Sequence, residues 1–149
     1  MSRLPRLRNI ALALALCVAA ASGCRGKLVD PARATRAYPM ALGQGSVVQI
    51  QAIPAATDIS IVNATAVSYA NFDLWLNQRY VCHVDALGAG QTIRVPIIGF
   101  YDQWGEKPYP GGLLQTFDPT PIVLLQIETA ADQPLVGLVC ALPETMREQ

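Results

Sequence analysis

A single apolar run near the start divides this chain into two parts with different fates. Residues 10–21 are apolar without interruption, and Arg3, Arg6 and Arg8 precede them. The run has twelve residues. A helix needs about 20 apolar residues to cross the hydrocarbon core of a bilayer. The apolar core of an export signal needs only about 7–15. The run is too short for a permanent span and suits a transient helix during export. The arginines favour the cytoplasmic side. The run closes on Ala21-Ser22-Gly23-Cys24, where small residues fit the narrow subsite of a peptidase that cuts after them. The stable fold is therefore expected after residue 23.

The basic start, the short apolar core and the closing Ala21-Ser22-Gly23-Cys24 resemble a bacterial lipoprotein signal peptide. The resemblance covers residues 1–24 only. Ala21 stands where leucine is more usual, three residues before the cysteine. The resemblance implies that residues 1–23 are removed, that Cys24 carries a diacylglycerol thioether, and that Cys24 becomes the new N-terminus. It implies a cell-envelope protein held to a membrane on its extracytoplasmic side. Arg25 follows the cysteine where an aspartate often marks inner-membrane retention, so onward transport to the outer membrane is favoured.

Removal of residues 1–23 leaves 126 residues, one domain's worth and enough for a real core. It discards three of the eleven basic residues and none of the eleven acidic ones, leaving a net charge of −3. No basic stripe and no basic-aromatic pattern points to nucleic acid. Cys17 leaves with the signal and Cys24 takes the lipid, so Cys82 and Cys140 remain. An exported compartment preserves such pairs. A bridge between them would close a loop of 59 residues and contribute roughly 4 kcal/mol. Two separate buried thiols are the alternative.

Residues 24–45 read as the lipidated N-terminus and a tether, with Pro31, Pro39 and Gly43 and no apolar periodicity. Asp30-Pro31 could cap a short helical turn. From residue 46 the pattern becomes strand-like. Val48, Ile50 and Ala52 alternate with Gln49 and Gln51. Further strands are expected over 58–69, 71–76, 79–85, 92–98, 122–129 and 135–142, rich in β-branched residues. Asn77-Gln78 reads as a hairpin turn, although glutamine is a poor second residue for the tightest type. Pro96 places its strand at an edge or bulge. The near-continuous apolar start of 122–129 predicts deep burial.

About seven short strands without an amphipathic helix predict an all-β fold, a small immunoglobulin-like β-sandwich over 46–142 with a polar tail over 143–149. The likeness is one of architecture. Trp75 precedes Cys82, whereas the immunoglobulin order places the tryptophan after the first cysteine.

Chemistry is sparse. His83 is the only histidine, and alternation turns it away from Tyr80, Cys82 and Val84. A zinc site would need more ligands than one histidine and two cysteines supply. Asp102, Glu106 and Asp118 are isolated carboxylates whose spacing matches no calcium loop. The stretch 99–112 holds four aromatics, Phe100, Tyr101, Trp104 and Tyr109, among glycines and prolines. It either plugs the end of the fold or presents a binding surface, in which case Tyr101, Trp104 and Tyr109 are its candidates. Asn63-Ala64-Thr65 fits a glycosylation sequon, and Leu142-Pro143-Glu144-Thr145-Met146 resembles a sortase signal with methionine in place of glycine. Neither has the surroundings its processing requires.

No cofactor and no metal is expected. The expected function is a non-catalytic structural or interaction module of the envelope. Its partners are the membrane, through the lipid on Cys24, and an envelope protein or glycan. A small hydrolase built on Asp102 and Glu106 is the alternative from another class. An accessory or assembly lipoprotein of a larger envelope complex is the third.

Overall fold

The computed structural model describes residues 29–109 and 118–141. The expected signal peptide over 1–23, Cys24, the expected tail over 143–149 and the sortase-like motif lie outside the described residues. The fold is all-β, with seven strands: β1 (Gln44–Pro54), β2 (Asp58–Asn63), β3 (Tyr69–Leu76), β4 (Tyr80–Leu87), β5 (Thr92–Pro96), β6 (Leu125–Glu128) and β7 (Leu135–Cys140). Each begins or ends within a few residues of its expected place, β2 and β6 being the most shortened.

The all-β expectation holds, but the strands do not divide clearly into the two stacked sheets of a sandwich. The strands make one mixed sheet in the order β4-β3-β6-β7-β1-β2-β5. The reason is a parallel pair, β1 with β7, which joins the two halves edge to edge instead of stacking them. That pair approaches closely beside Gly45, where a Cβ would lie 2.7 Å from the Leu135 carbonyl oxygen. The sheet curls into a barrel-like form. Ile50, Ile61, Phe72, Leu74, Leu87 and Ile127 come from five strands, yet all sit in one buried cluster on the concave face. Each fully buried side chain of this size contributes about 1.5–3 kcal/mol of transfer free energy.

Alternation decides which residues line that face. On β4 Tyr80, Cys82 and Val84 point inward, and His83 points out. On β7 Val136, Leu138 and Cys140 point inward. β6 is buried throughout, as a central strand should be. β5 carries Pro96 at the free edge of the sheet, where its missing N–H costs nothing. After β5 a 3₁₀ turn (Ile97–Gly99) leads to Phe100, wholly buried in the core, and then to Tyr101. Tyr101 exchanges backbone hydrogen bonds with Val81 at 2.9 and 3.1 Å. The chain leaving one edge strand thus meets the other, β4.

The cysteine pairing is corrected by this topology. Cys82 and Cys140 are free thiols. They share the inner face, but β3 and β6 separate their strands. Three strand steps are about 14 Å along the sheet, against a Cα separation of about 7 Å at most for a disulfide. Burial raises the pKa of both thiols.

The expected tether is also corrected from residue 29 onward. Residues 29–43 form a strap across the convex face. Asp30 caps the 3₁₀ turn Pro31–Arg33, with its side chain accepting from the Ala32 N–H. Tyr38 and Leu42 pack on Trp75, Val81 and Leu135. The strap lacks apolar periodicity because it attaches through single side chains and backbone groups, not through a packed face of its own.

Candidate functional site

Two clusters among the described residues combine charged and aromatic side chains. The first lies beneath the strap. Trp75, next to the last residue of β3, points outward yet is wholly buried. Tyr38 meets its ring edge-on, with centroids 5.3 Å apart. The Arg36 guanidinium lies 4.9 Å from the ring centroid. Arg36 donates to Asp73 and to Glu128, both at 2.7 Å. The Trp75 Nε1–H donates to the same Glu128 oxygen at 2.6 Å. The Tyr38 hydroxyl donates to Gln126 at 2.8 Å, and Gln44 closes the circuit. His83 Nδ1 lies 3.0 Å from Asp73. Burial raises the Asp73 carboxyl pKa, but hydrogen bonds from Arg36 and His83 outweigh it and hold the group below its ordinary value. The cluster fastens the strap to the sheet.

The second cluster is the aromatic loop, and its centre is Asp102. Its side chain is closed to solvent. One carboxylate oxygen accepts from Arg79 Nε and Nη2 at 2.9 and 2.7 Å. The other accepts the backbone N–H groups of Trp104 and Glu106 at 2.9 and 2.8 Å. Arg79 also pairs with Glu106. Burial pushes the Asp102 carboxyl up, but the guanidinium and the two amides together hold it below the ordinary carboxylate range. The strap joins this network as well. Thr35 donates through its N–H to the Asp102 carbonyl and through its hydroxyl to the Tyr101 carbonyl, both at 3.0 Å. Val29 bridges Glu106 in antiparallel fashion, and the Asp30 N–H donates to the Gly105 carbonyl at 2.9 Å.

The expected surface aromatics therefore separate. Phe100 plugs the core. Tyr101 is 8% exposed and is removed from the candidate surface, because Arg33 and Lys107 lie over its ring at 5.6 and 5.2 Å. Trp104 is 59% exposed and Tyr109 39%. Arg79 lies 5.9 Å from the Trp104 centroid. An exposed tryptophan thus stands on a backbone that a buried carboxylate holds at two points.

The remaining candidates do not gather into a site. Asp118 is exposed. Among the described residues no three His, Cys, Asp or Glu side chains come together as metal ligands. Asn63 of the sequon is wholly buried. Its amide donates to the carbonyls of Val67 and Gly88 at 2.8 and 2.9 Å and accepts from Thr65. The sequon is a turn motif here, with no access for a glycan. Sequence reasoning missed Arg79, which is the organising cation of the loop although it precedes the loop by about twenty residues. Its place just after Asn77-Gln78 was the available signal, since the hairpin returns it toward the end of the sheet where the loop lies.

No family model, no curated protein and no solved structure matches the chain.

Proposed function

We propose that this protein is a lipid-anchored, non-catalytic module of the bacterial cell envelope, with a contact surface centred on Trp104 and Tyr109. The observation that carries this reading is the contrast within one loop. Asp102 is sealed and fourfold hydrogen-bonded, while Trp104, two residues on, is largely exposed. Leaving an indole in water forgoes the burial that stabilises folding. Holding its backbone rigid lowers the entropy lost when the ring is covered. Both features suit an interface anchor.

The hydrolase alternative draws less support. A carboxylic acid that protonates a leaving group needs a raised pKa. Asp102 has a lowered one and gives its oxygens to Arg79 and the backbone. Glu106 meets the same guanidinium.

The experiment is to place a photoreactive amino acid at position 104, and separately at position 49, and to irradiate intact cells. Gln49 is an exposed strand residue remote in sequence from the loop. Adducts from position 104 and none from position 49 support the surface. Equal yields at both positions, or none at 104, exclude it.

A further inference from the structure

The strap changes what the lipid anchor does to this surface. Val29 is already bridged to Glu106, and Asp30 is hydrogen-bonded to Gly105. Only residues 25–28 separate Cys24 from that point. At full stretch the five steps from Cys24 to Val29 span about 18 Å. The attachment point is the aromatic loop itself: Gly105 and Glu106 directly follow Trp104. A lipid on Cys24 would therefore bring this loop to the membrane, whereas a free tether would hold the domain away.

The chemistry of the loop suits that position. Trp104, Tyr109 and Val29 are exposed at 59%, 39% and 45%. Tryptophan and tyrosine concentrate at membrane–water interfaces, where an apolar ring with a polar edge is best accommodated. Arg33 and Lys107 lie over the ring of Tyr101, the buried aromatic of the same loop. Asp102 and Glu106 both face Arg79, so their charge is partly compensated within the loop. Arg25 and Lys27 add two cations to the short connection. Cations beside an anionic leaflet are attracted to it, and the attraction fades within a Debye length.

We propose that the Trp104–Tyr109 surface docks onto the headgroup region of a bilayer carrying anionic glycerophospholipids, so that the anchored domain lies against the membrane in one orientation. This rests on the lipid-anchor reading above and names the partner of the same surface.

The test uses the protein expressed from its full sequence, purified as the cell processes it and reconstituted into vesicles of phosphatidylcholine and phosphatidylglycerol. A fraction of the lipid carries a spin label near the headgroup. Trp75 lies buried beneath the strap and Trp104 does not, so Trp104→Phe isolates the exposed ring. About half of the Trp104 emission is expected to be quenched by the label, and the quenching is expected to vanish in Trp104→Phe. Equal quenching of wild type and Trp104→Phe, with Trp104 still open to aqueous acrylamide, would overturn docking. Protection of Trp104 only after addition of a soluble envelope extract would overturn it in favour of a protein or glycan. Intact mass separates the two levels. A mature chain without a diacylglyceryl group on Cys24 ends the anchor reading and this proposal together. An acylated, vesicle-bound chain with unquenched Trp104 ends this proposal alone.

Discussion

Gly105 lies flat against Asp30: a Cβ on Gly105 would stand 2.0 Å from the Asp30 carbonyl oxygen. Gly105 also has φ of +78°, a conformation that costs an L-residue roughly 1–2 kcal/mol. Both demands meet where the strap crosses the aromatic loop. Gly105→Ala should therefore detach the start of the strap, because backbone cannot yield as a flexible side chain can. The expected loss is about 2–4 kcal/mol, a mid-range to large effect for one substitution. Thermal unfolding measures it, and trypsin should cut the variant at Arg33 or Arg36 faster than wild type. A variant with wild-type stability and protease resistance would contradict the strap geometry.

Asp102 carries a pH signature. Its folded-state carboxyl is held below the ordinary value of 3.8. The unfolded chain therefore binds a proton first as pH falls. The stabilisation is complete above that ordinary value and is lost as pH drops through the depressed folded value. Asp73, lowered by Arg36 and His83 against the effect of burial, acts in the same direction. Asp102→Asn should cost about 1.5–3 kcal/mol at neutral pH. It should also flatten part of the acid limb. Urea midpoints at pH 7, 4 and 3 for both proteins test this. Parallel curves for the two would show that Asp102 is not the titrating group.

Arg36 links the strap to Trp75 and Glu128. It is nearly half exposed, so its ion pairs are weakened by solvent. Arg36→Ala should cost about 1–2 kcal/mol, combining a cation–π contact with two partly screened pairs. Arg36→Lys should restore only part, because lysine cannot reach two carboxylates while lying flat on the indole. In Arg36→Ala the emission of Trp75 should become more open to acrylamide. Unchanged quenching would mean that Tyr38 and Leu42 alone cover the ring.

The two thiols distinguish this sheet from the expected sandwich. Cys82 and Cys140 should both react with a thiol reagent once the chain is unfolded, with no reductant needed, each located by peptide mass. In the folded state they should react slowly, since burial holds both protonated. Gel mobility should be the same with and without reductant. A shift on reduction would restore the disulfide and require β4 and β7 to come together.

Much of this fold was legible because side chains on a strand alternate. The alternation at Val48, Ile50 and Ala52 placed β1 and Pro96 marked the edge strand, but the apolar start of 122–129 misplaced the buried stretch, since Val123 is exposed and the buried strand begins at Leu125. Pairing was not legible. Nothing in the pattern of β1 or β7 distinguishes a parallel neighbour within one sheet from an opposing strand in a second, and that choice decided the fate of Cys82 and Cys140. The strap was hidden for a related reason. Arg36 and Tyr38 each act alone on a distant residue, Glu128 or Trp75, and a solitary contact leaves no period to read. The aromatic loop was visible as a cluster, but which ring would be exposed depended on Arg79 and Asp102, partners brought together only by the hairpin.

That hairpin carries an uncorrected local conflict. Asn77 and Gln78 have φ of +50° and +56°, and the Arg79 N–H bonds to the Leu76 carbonyl at 3.1 Å. Two successive positive φ values are the pattern of a type I′ turn, whose preferred pair is Asn-Gly. Asn77 fits, and its side chain also accepts from the N–H groups of Val123 and Leu124 at 3.1 Å. Gln78 does not fit. It is exposed, and its side chain makes no hydrogen bond among the described residues to offset its left-handed backbone. Gln78→Gly should therefore stabilise the protein by about 0.5–1 kcal/mol, the relief of strain exceeding the extra freedom glycine gives the unfolded chain. Denaturant unfolding should show a higher midpoint with an unchanged slope. Asn77→Gly should go the other way, because it removes the caps on Val123 and Leu124. If both variants moved stability in the same direction, the turn would not have the backbone described, and the placement of Arg79 beneath the loop would lose its physical basis.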